Sequence, residues 1–322
     1  MCWNPQTDHL TFSVSDITQE ARRVQPTKRN VVSVVGKFYD PLGFLAPVVL
    51  KFKLLFQRLC VNKMDWDQPL TDSLLDEWNS LVEDLQVDIS VSIPRCYLDG
   101  IGSSVTSLTL CGFCDASTKA YAAVVYLVIK TDCGVKVQFI MAKTRVSPTQ
   151  ELTIPRLELL SALLLARLIT TVSANLRSTM PPFDLKCYTD SLVALYWIQG
   201  TDKDWKPFVN NRVTEIRNHV SPENWSHCPG LSNPADLPSR GLTLLELSVS
   251  QLWHQGPPWL YEQGTEPTRE SDDAPMPQEC RSEMKAFKSG PLEHHHQAPL
   301  GTLQKFSTDH PSGSYNWKVN QV

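Results

Sequence analysis

The stretch Val105-Thr106-Ser107-Leu108-Thr109-Leu110-Cys111-Gly112-Phe113-Cys114-Asp115-Ala116-Ser117 decides how the chain reads. From Val105 to Cys114, apolar residues alternate with small polar ones, the two-residue period of a β-strand. An acid, Asp115, stands at its end. Toward the C-terminus, Ala120–Ile129 and Val135–Arg145 read as two more strands around the turn-like Asp132-Cys133-Gly134. Three strands joined this closely form an antiparallel meander. Ile154–Leu176 follows as a long helix with Pro155 in its first turn, where proline is tolerated. Then come a short buried strand at Leu185–Thr189, helices at Ser191–Ile198 and Phe208–Val220, a strand at Asn224–Cys228, and a helical turn opened by Pro234. A long helix between strands of one sheet makes a right-handed parallel crossover. The expected fold is α/β: a mixed five-stranded sheet with helices on both faces.

Toward the N-terminus the pattern changes. Residues 1–30 are polar and open with a short strand-like alternation. Residues 31–100 form a mostly helical segment: Asp40-Pro41-Leu42-Gly43 punctuates an apolar stretch, Val48–Leu59 has apolar residues at helical spacing, and Thr71 stands as N-cap to Asp72–Leu85. Residues 101–250 carry the α/β pattern. Residues 251–322 read as linker and tail. From 261 onward they are rich in Pro, Glu, Ser, Gln and His without periodicity, and disorder is expected.

The 322 residues suffice for one or two domains, and 42% apolar content is ordinary for a soluble globular protein. A net charge of -4 gives no overall basic field for nucleic acid, so any such binding must rest on local patches. Nine cysteines, an odd number, point to reduced thiols and a cytoplasmic or nuclear location. Cys111 and Cys114 mimic a metal or redox pair, yet residues three apart on a strand face opposite ways. The N-terminus lacks an apolar signal core. The most apolar segment, Leu157–Ile169, is interrupted by Glu158, Ser161 and Arg167, and no membrane is expected.

Four acids carry the chemistry. Asp115 and Asp190 follow strands, Glu158 sits among leucines one turn into the long helix, and Asp236 opens the last helix. Taken singly, each has an ordinary use as an N-cap, a turn residue, a surface acid or a helix-start charge. Taken together, they converge. The first and fourth strands lie side by side in the expected sheet, and the helix across them adds Glu158. Carboxylates so crowded repel and raise one another's pKa unless divalent cations intervene. Oxygen donors favour Mg²⁺, or Mn²⁺, over zinc. Two ions about 4 Å apart suit in-line displacement on a phosphodiester.

Phe113-Cys114-Asp115-Ala116-Ser117, Ile154-Pro155-Arg156-Leu157-Glu158-Leu159, Tyr188-Thr189-Asp190-Ser191 and Asn233-Pro234-Ala235-Asp236 with Ser239-Arg240-Gly241 resemble the ribonuclease H segment of BEL/Pao-type retrotransposon polyproteins. The flanks agree. Phe38-Tyr39-Asp40-Pro41-Leu42-Gly43-Phe44-Leu45-Ala46-Pro47, Trp66-Asp67 and Ile93-Pro94-Arg95 resemble that family's connection between reverse transcriptase and ribonuclease H. Trp253 with Gly256-Pro257-Pro258-Trp259-Leu260 resembles the stretch leading toward integrase. The resemblance covers about residues 1–260. It implies a ribonuclease H-like fold, a reverse transcriptase palm or thumb remnant at 1–30, and endonucleolytic cleavage of the RNA strand of RNA·DNA hybrids. It further implies two Mg²⁺ ions, with Asp115 bridging both, Glu158 and Asp190 completing one, and Asp236 holding the other.

A hybrid nuclease must also grip phosphates and sense the 2′-hydroxyl. Lys143, Arg145 and Arg156 are the candidates for phosphate; Ser191, Asn233 and Thr118 for sugar or backbone. Surface solvation is the plain alternative for the cations, and a structural ion pair for Arg240. Many ribonucleases H place a histidine in the loop before the last aspartate; here Leu231 stands near that position and His227 ends the last strand. Trp197, Trp205 and Trp225 read as core aromatics. His294, His295 and His296 fall in the tail. The chain has no Tyr-x-Asp-Asp, no Asp-Ser/Thr-Gly and no integrase zinc module, so it reads as a polyprotein fragment or a host gene derived from one. Expected partners are the hybrid and reverse transcriptase or integrase segments of a related polyprotein. The competing reading is an inactive remnant that binds nucleic acid or protein. A transposase-like nuclease of the same fold ranks lower, because Glu158 lies between the first two aspartates.

Overall fold

In the computed structural model, residues 1–86, 91–98, 101, 105–200, 204–262 and 277–285 are described. The elements run in chain order: β1 (Cys2–Asn4), β2 (His9–Phe12), α1 (Ser15–Arg23), α2 (Lys28–Lys37), α3 (Ala46–Val61), α4 (Asp72–Asp84) and β3 (Val91–Pro94). They continue as β4 (Val105–Ala116), β5 (Ala120–Thr131), β6 (Gly134–Val146), α5 (Ile154–Leu176), β7 (Asp184–Thr189), α6 (Leu192–Gln199) and α7 (Pro207–His219). The chain then forms β8 (Trp225–His227), α8 (Asp236–Arg240), α9 (Leu244–Val249), α10 (Gln251–Gln255) and α11 (Gln278–Ser282).

The expected mixed five-stranded sheet is present, in the order β6-β5-β4-β7-β8. Strands β4, β5 and β6 pair antiparallel; β7 joins β4 in parallel and β8 joins β7 in parallel. A separate three-stranded sheet holds β1, β2 and β3.

Both faces of the large sheet are covered, and the alternation along β4 shows why. Leu108, Leu110 and Cys114 join the core built on α5, α6 and α7, while Cys111 and Phe113 join the opposite core. The two cysteines of the CxxC spacing therefore point to opposite faces of the sheet. By length and composition α5 could cross a membrane, but its apolar residues are buried against the sheet and α7. It approaches β4 closely: a Cβ on Gly112 would meet Leu165 Cδ1 at 2.5 Å. Trp197, Trp205 and Trp225 are buried in this core.

On the other face lie α3, α8 and α10. The Asp40–Gly43 turn fixes how α3 arrives. The Asp40 carboxylate accepts the amides of Phe44 and Leu45 at 2.9 and 2.7 Å, satisfying donors at the approach to α3. The Ala142 amide of edge strand β6 donates to Leu42 O at 2.8 Å, so this turn covers part of the edge. Gly43 has φ +71°, and a Cβ there would stand 2.0 Å from Ala142 O. Phe44 follows, buried against Phe12, Phe139 and Trp253. Elements on both sides of residue 100 thus share one apolar core.

Two parts of the chain depart from expectation. Residues 1–30 hold more than a strand remnant, since α1 is a helix with Ala21 buried. The 251–322 stretch, expected to be linker and disordered tail, begins with folded residues: Trp253 is fully buried and its Nε1 donates to Phe44 O at 3.0 Å. Within it α11 is a helix with Cys280 buried. The periodic signal was too short in both places to read. Residues 263–276 and 286–322, including His294, His295 and His296, lie outside the described residues.

Candidate metal centre

Strand register builds the site. Cys114 pairs with Thr189 across the parallel β4/β7 ladder, so the next residues stand side by side: Asp115, still in β4 and paired with Ala122, and Asp190, just past the end of β7. Glu158 lies in the second turn of α5, which crosses this end of the sheet. Asp115, Glu158 and Asp190 each offer an oxygen lying within 4.8 Å of the others. Among the described residues, this is the group of His, Cys, Asp or Glu close enough to hold an ion.

Electrostatics mark the cost of that crowding. Burial pushes the Glu158 carboxyl up to about 9, reinforced by the charges of Asp115 and Asp190. Burial pushes Asp115 up to about 6, opposed by its bond from Ser239 and aided by Asp190 and Asp236. Asp190 is raised by the same burial. Glu158 Oε2 and Asp190 Oδ1 are buried with no hydrogen-bond partner. Buried unsatisfied carboxylate oxygens are costly, and a cation satisfies them. Burial raises the neighbouring Cys114 thiol well above its ordinary value. The donor set fits a hard divalent ion such as Mg²⁺ or Mn²⁺.

Asp236 stands apart from the triad. It lies close enough to raise Asp115 and Asp190, but its carboxylate accepts from Arg240. Arg240 is thus an ion-pair partner of the fourth acid. Ser239, to which sequence reasoning gave no role, donates to Asp115, and its Oγ lies 2.9 Å from Asp236 O. Its place in the Ser239-Arg240-Gly241 stretch of the resemblance, three residues after Asp236, is the signal that pointed to it.

The expected substrate contacts divide. Lys143 and Arg145 are exposed on β6. Arg156 is not a free cation: its Nε and Nη2 donate to the two oxygens of Glu283 at 2.6 and 3.1 Å. Ser191 is the N-cap of α6, its Oγ accepting the Ala194 amide at 3.2 Å. Asn233 is fully buried, with Nδ2 donating to Cys114 O at 3.0 Å and Oδ1 accepting the Ala235 amide at 3.1 Å. It also hydrogen-bonds Asp190, which offsets part of the rise that burial causes in that carboxyl. Asn233 is therefore a positioning residue that ties the end of β4 to the turn before α8. Leu231 is 99% exposed at the tip of the Gly230–Ser232 turn, and His227 ends β8.

A mixed sheet in this strand order, with carboxylates gathered at the ends of β4 and β7 and at the start of α5, defines a ribonuclease H-like domain. A family model described as the Pao retrotransposon-like RNaseH-like domain matches residues 27–191, just over half the chain, and the chain belongs to that family. Among solved structures, the chain is similar to the N-terminal RNase H domain of Rv2228c from Mycobacterium tuberculosis, at 13% identity and TM-score 0.28, covering 40% of this chain and 86% of that one. It is similar to the foamy viral protease-reverse transcriptase in complex with an RNA/DNA hybrid, at 12% identity and TM-score 0.38, covering 67% of this chain and 27% of that one. The RNase H1 of Halobacterium salinarum NRC-1 is 13% identical with TM-score 0.24, covering 40% and 90%. No curated protein matches the chain in sequence.

Proposed function

We propose that this chain is a magnesium-dependent endonuclease that cuts the RNA strand of RNA·DNA hybrids. The observation that carries the reading is the triad itself: three carboxylate oxygens within 4.8 Å, in a site where Glu158 Oε2 and Asp190 Oδ1 have no partner. Asp115, Glu158 and Asp190 would hold the ions, and Asp236 would join them on exchanging its partner Arg240. Bound ions supply a water that is nucleophilic near neutral pH and positive charge at the leaving 3′ oxygen. The chain's own residues orient and hold. Ser239 fixes Asp115, Asn233 fixes Asp190, and Lys143 with Arg145 offers phosphate contacts on β6. Residues 31–100 are read as the connection that precedes such a domain in a retrotransposon polyprotein of the BEL/Pao kind. Residues 1–30 are read as the reverse transcriptase edge, and the location as cytoplasmic or nuclear.

The test is cleavage of a labelled hybrid with Mg²⁺, beside an Asp115→Asn, Asp190→Asn double variant. Cleavage by the parent alone is expected. Equal cleavage by both, or none by either, overturns the assignment. The pairing of Asp236 with Arg240 favours a second reading, a non-cleaving nucleic-acid or protein-binding module. Hybrid binding that persists in the double variant, with no turnover in the parent, selects it.

A further inference from the structure

The segment from Pro277 to Lys285 is held on the domain by more than its helix. Trp205 and Met284 form an antiparallel bridge, and the amides of Lys206 and Lys285 donate to Glu283 O and Asp204 O at 2.7 and 2.9 Å. Cys280 is buried with its thiol 4.0 Å from Val193 O on α6. Its most specific contact is the two-pronged bond from Arg156 to Glu283. Arg156 lies two residues before Glu158, and Val193 three residues after Asp190. The strap therefore lies over the starts of α5, which carries Glu158, and α6, which follows Asp190.

Arginines crowd beneath it. The Arg156 and Arg212 guanidiniums stand 4.7 and 3.6 Å from the Phe208 ring centroid. Arg212 Nε is buried without a partner, and the charges of Arg156 and Arg167 oppose its own. Tyr121 lies near Arg212, and Arg145 pairs with Tyr121 across the β5/β6 ladder. Arg145, Arg212 and Arg156 thus mark a basic strip beside the carboxylates, in a chain whose net charge is -4. A guanidinium fork takes a carboxylate and a phosphate in the same bidentate geometry.

We propose that the strap is a detachable cover, in which Glu283 occupies on Arg156 the place of a backbone phosphate of the RNA·DNA hybrid. The hybrid seats along Arg145, Arg212 and Arg156 only when the strap leaves. The identity of this ligand rests on the nuclease reading above; the cover itself is tested by binding, without turnover.

The experiment measures affinity of the full chain for a fluorescein-labelled hybrid in EDTA across a salt series. Glu283→Gln is expected to tighten binding about tenfold, the factor for removing an occluding state favoured about ten to one. The slope of log affinity against log salt should steepen by about one, because in the parent salt also loosens the Arg156–Glu283 pair and so offsets one phosphate contact. Adding Arg156→Ala should return both values to those of the parent. Glu279→Gln, which removes the same charge from an exposed position of the strap, should change neither. An unchanged slope with Glu283→Gln, or an equal gain with Glu279→Gln, overturns the cover. In the unmutated chain, hybrid should speed alkylation of Cys280, located by peptide mapping; unchanged or slower labelling also overturns it. Tightening by Glu283→Gln in a chain that never cleaves keeps the cover and removes the nuclease. Cleavage without tightening does the reverse.

Discussion

Replacing Glu158 with glutamine should stabilise the metal-free protein at alkaline pH while removing its chemistry. Glu158 has an ordinary value of 4.5 and is pushed up to about 9 by burial and its neighbours. Between those values the folded chain keeps a proton there that the unfolded chain has lost. Folding then binds protons, so stability falls as pH rises, by about 1.4 kcal/mol per pH unit for one proton. Asp115, raised from 3.8 to about 6, adds a loss of the same sign below pH 6, and Asp190 acts in the same direction. From pH 6.5 to 8.5, Glu158 dominates the site's contribution, a loss of about 3 kcal/mol. Urea unfolding at half-unit pH steps in EDTA measures this. The parent should weaken across the range, and Glu158→Gln should lose most of the slope. Mg²⁺ should flatten the parent's slope, because a cation favours ionised carboxylates, and should leave Glu158→Gln far less affected. A parent whose stability is flat or rises from pH 6.5 to 8.5 in EDTA, or one whose slope survives in Glu158→Gln, would refute the crowded, cation-free triad.

Two further substitutions probe the supports of the site. Gly43→Ala forces a Cβ toward Ala142 O at a backbone angle alanine avoids, and should cost at least about 2 kcal/mol. Thermal unfolding reads the loss, and faster hydrogen exchange at the Ala142 amide should localise it to the junction of turn and β6 edge. Asn233→Ala removes the bonds to Cys114 O and Asp190, costing about 1–3 kcal/mol. It should also raise the Mg²⁺ concentration needed for thermal stabilisation; unchanged metal dependence would show that Asn233 does not position Asp190.

Elements whose neighbours in sequence are also their neighbours in space could be read from the chain. The alternation of Val105–Cys114 and the long apolar stretch of α5 behind Pro155 each record a local period that one face of a strand or helix requires, and Asp132–Gly134 has the residues of a turn. Asp115, Glu158 and Asp190 stood out because each interrupts or ends such a run, Asp236 because it opens a helix after Pro234, and their order matched a family pattern. Short elements beyond it carried no such record: α10 and α11 are each five residues long. The partners of Arg156 were equally hidden. Glu283 lies 127 positions away, and nothing near Arg156 distinguishes an ion-paired arginine from a free one.

Sequence by itself determined the five strands of the large sheet, the long helix, the residue types able to hold a hard cation, and the family to which they point. Tertiary structure alone decided that Asp115, Glu158 and Asp190 meet while Asp236 turns to Arg240, that Asn233 is buried support, and that Glu283 holds Arg156. Periodicity is fixed by backbone geometry over a few residues, whereas these pairings depend on register and packing between segments far apart in the chain, which no local pattern encodes.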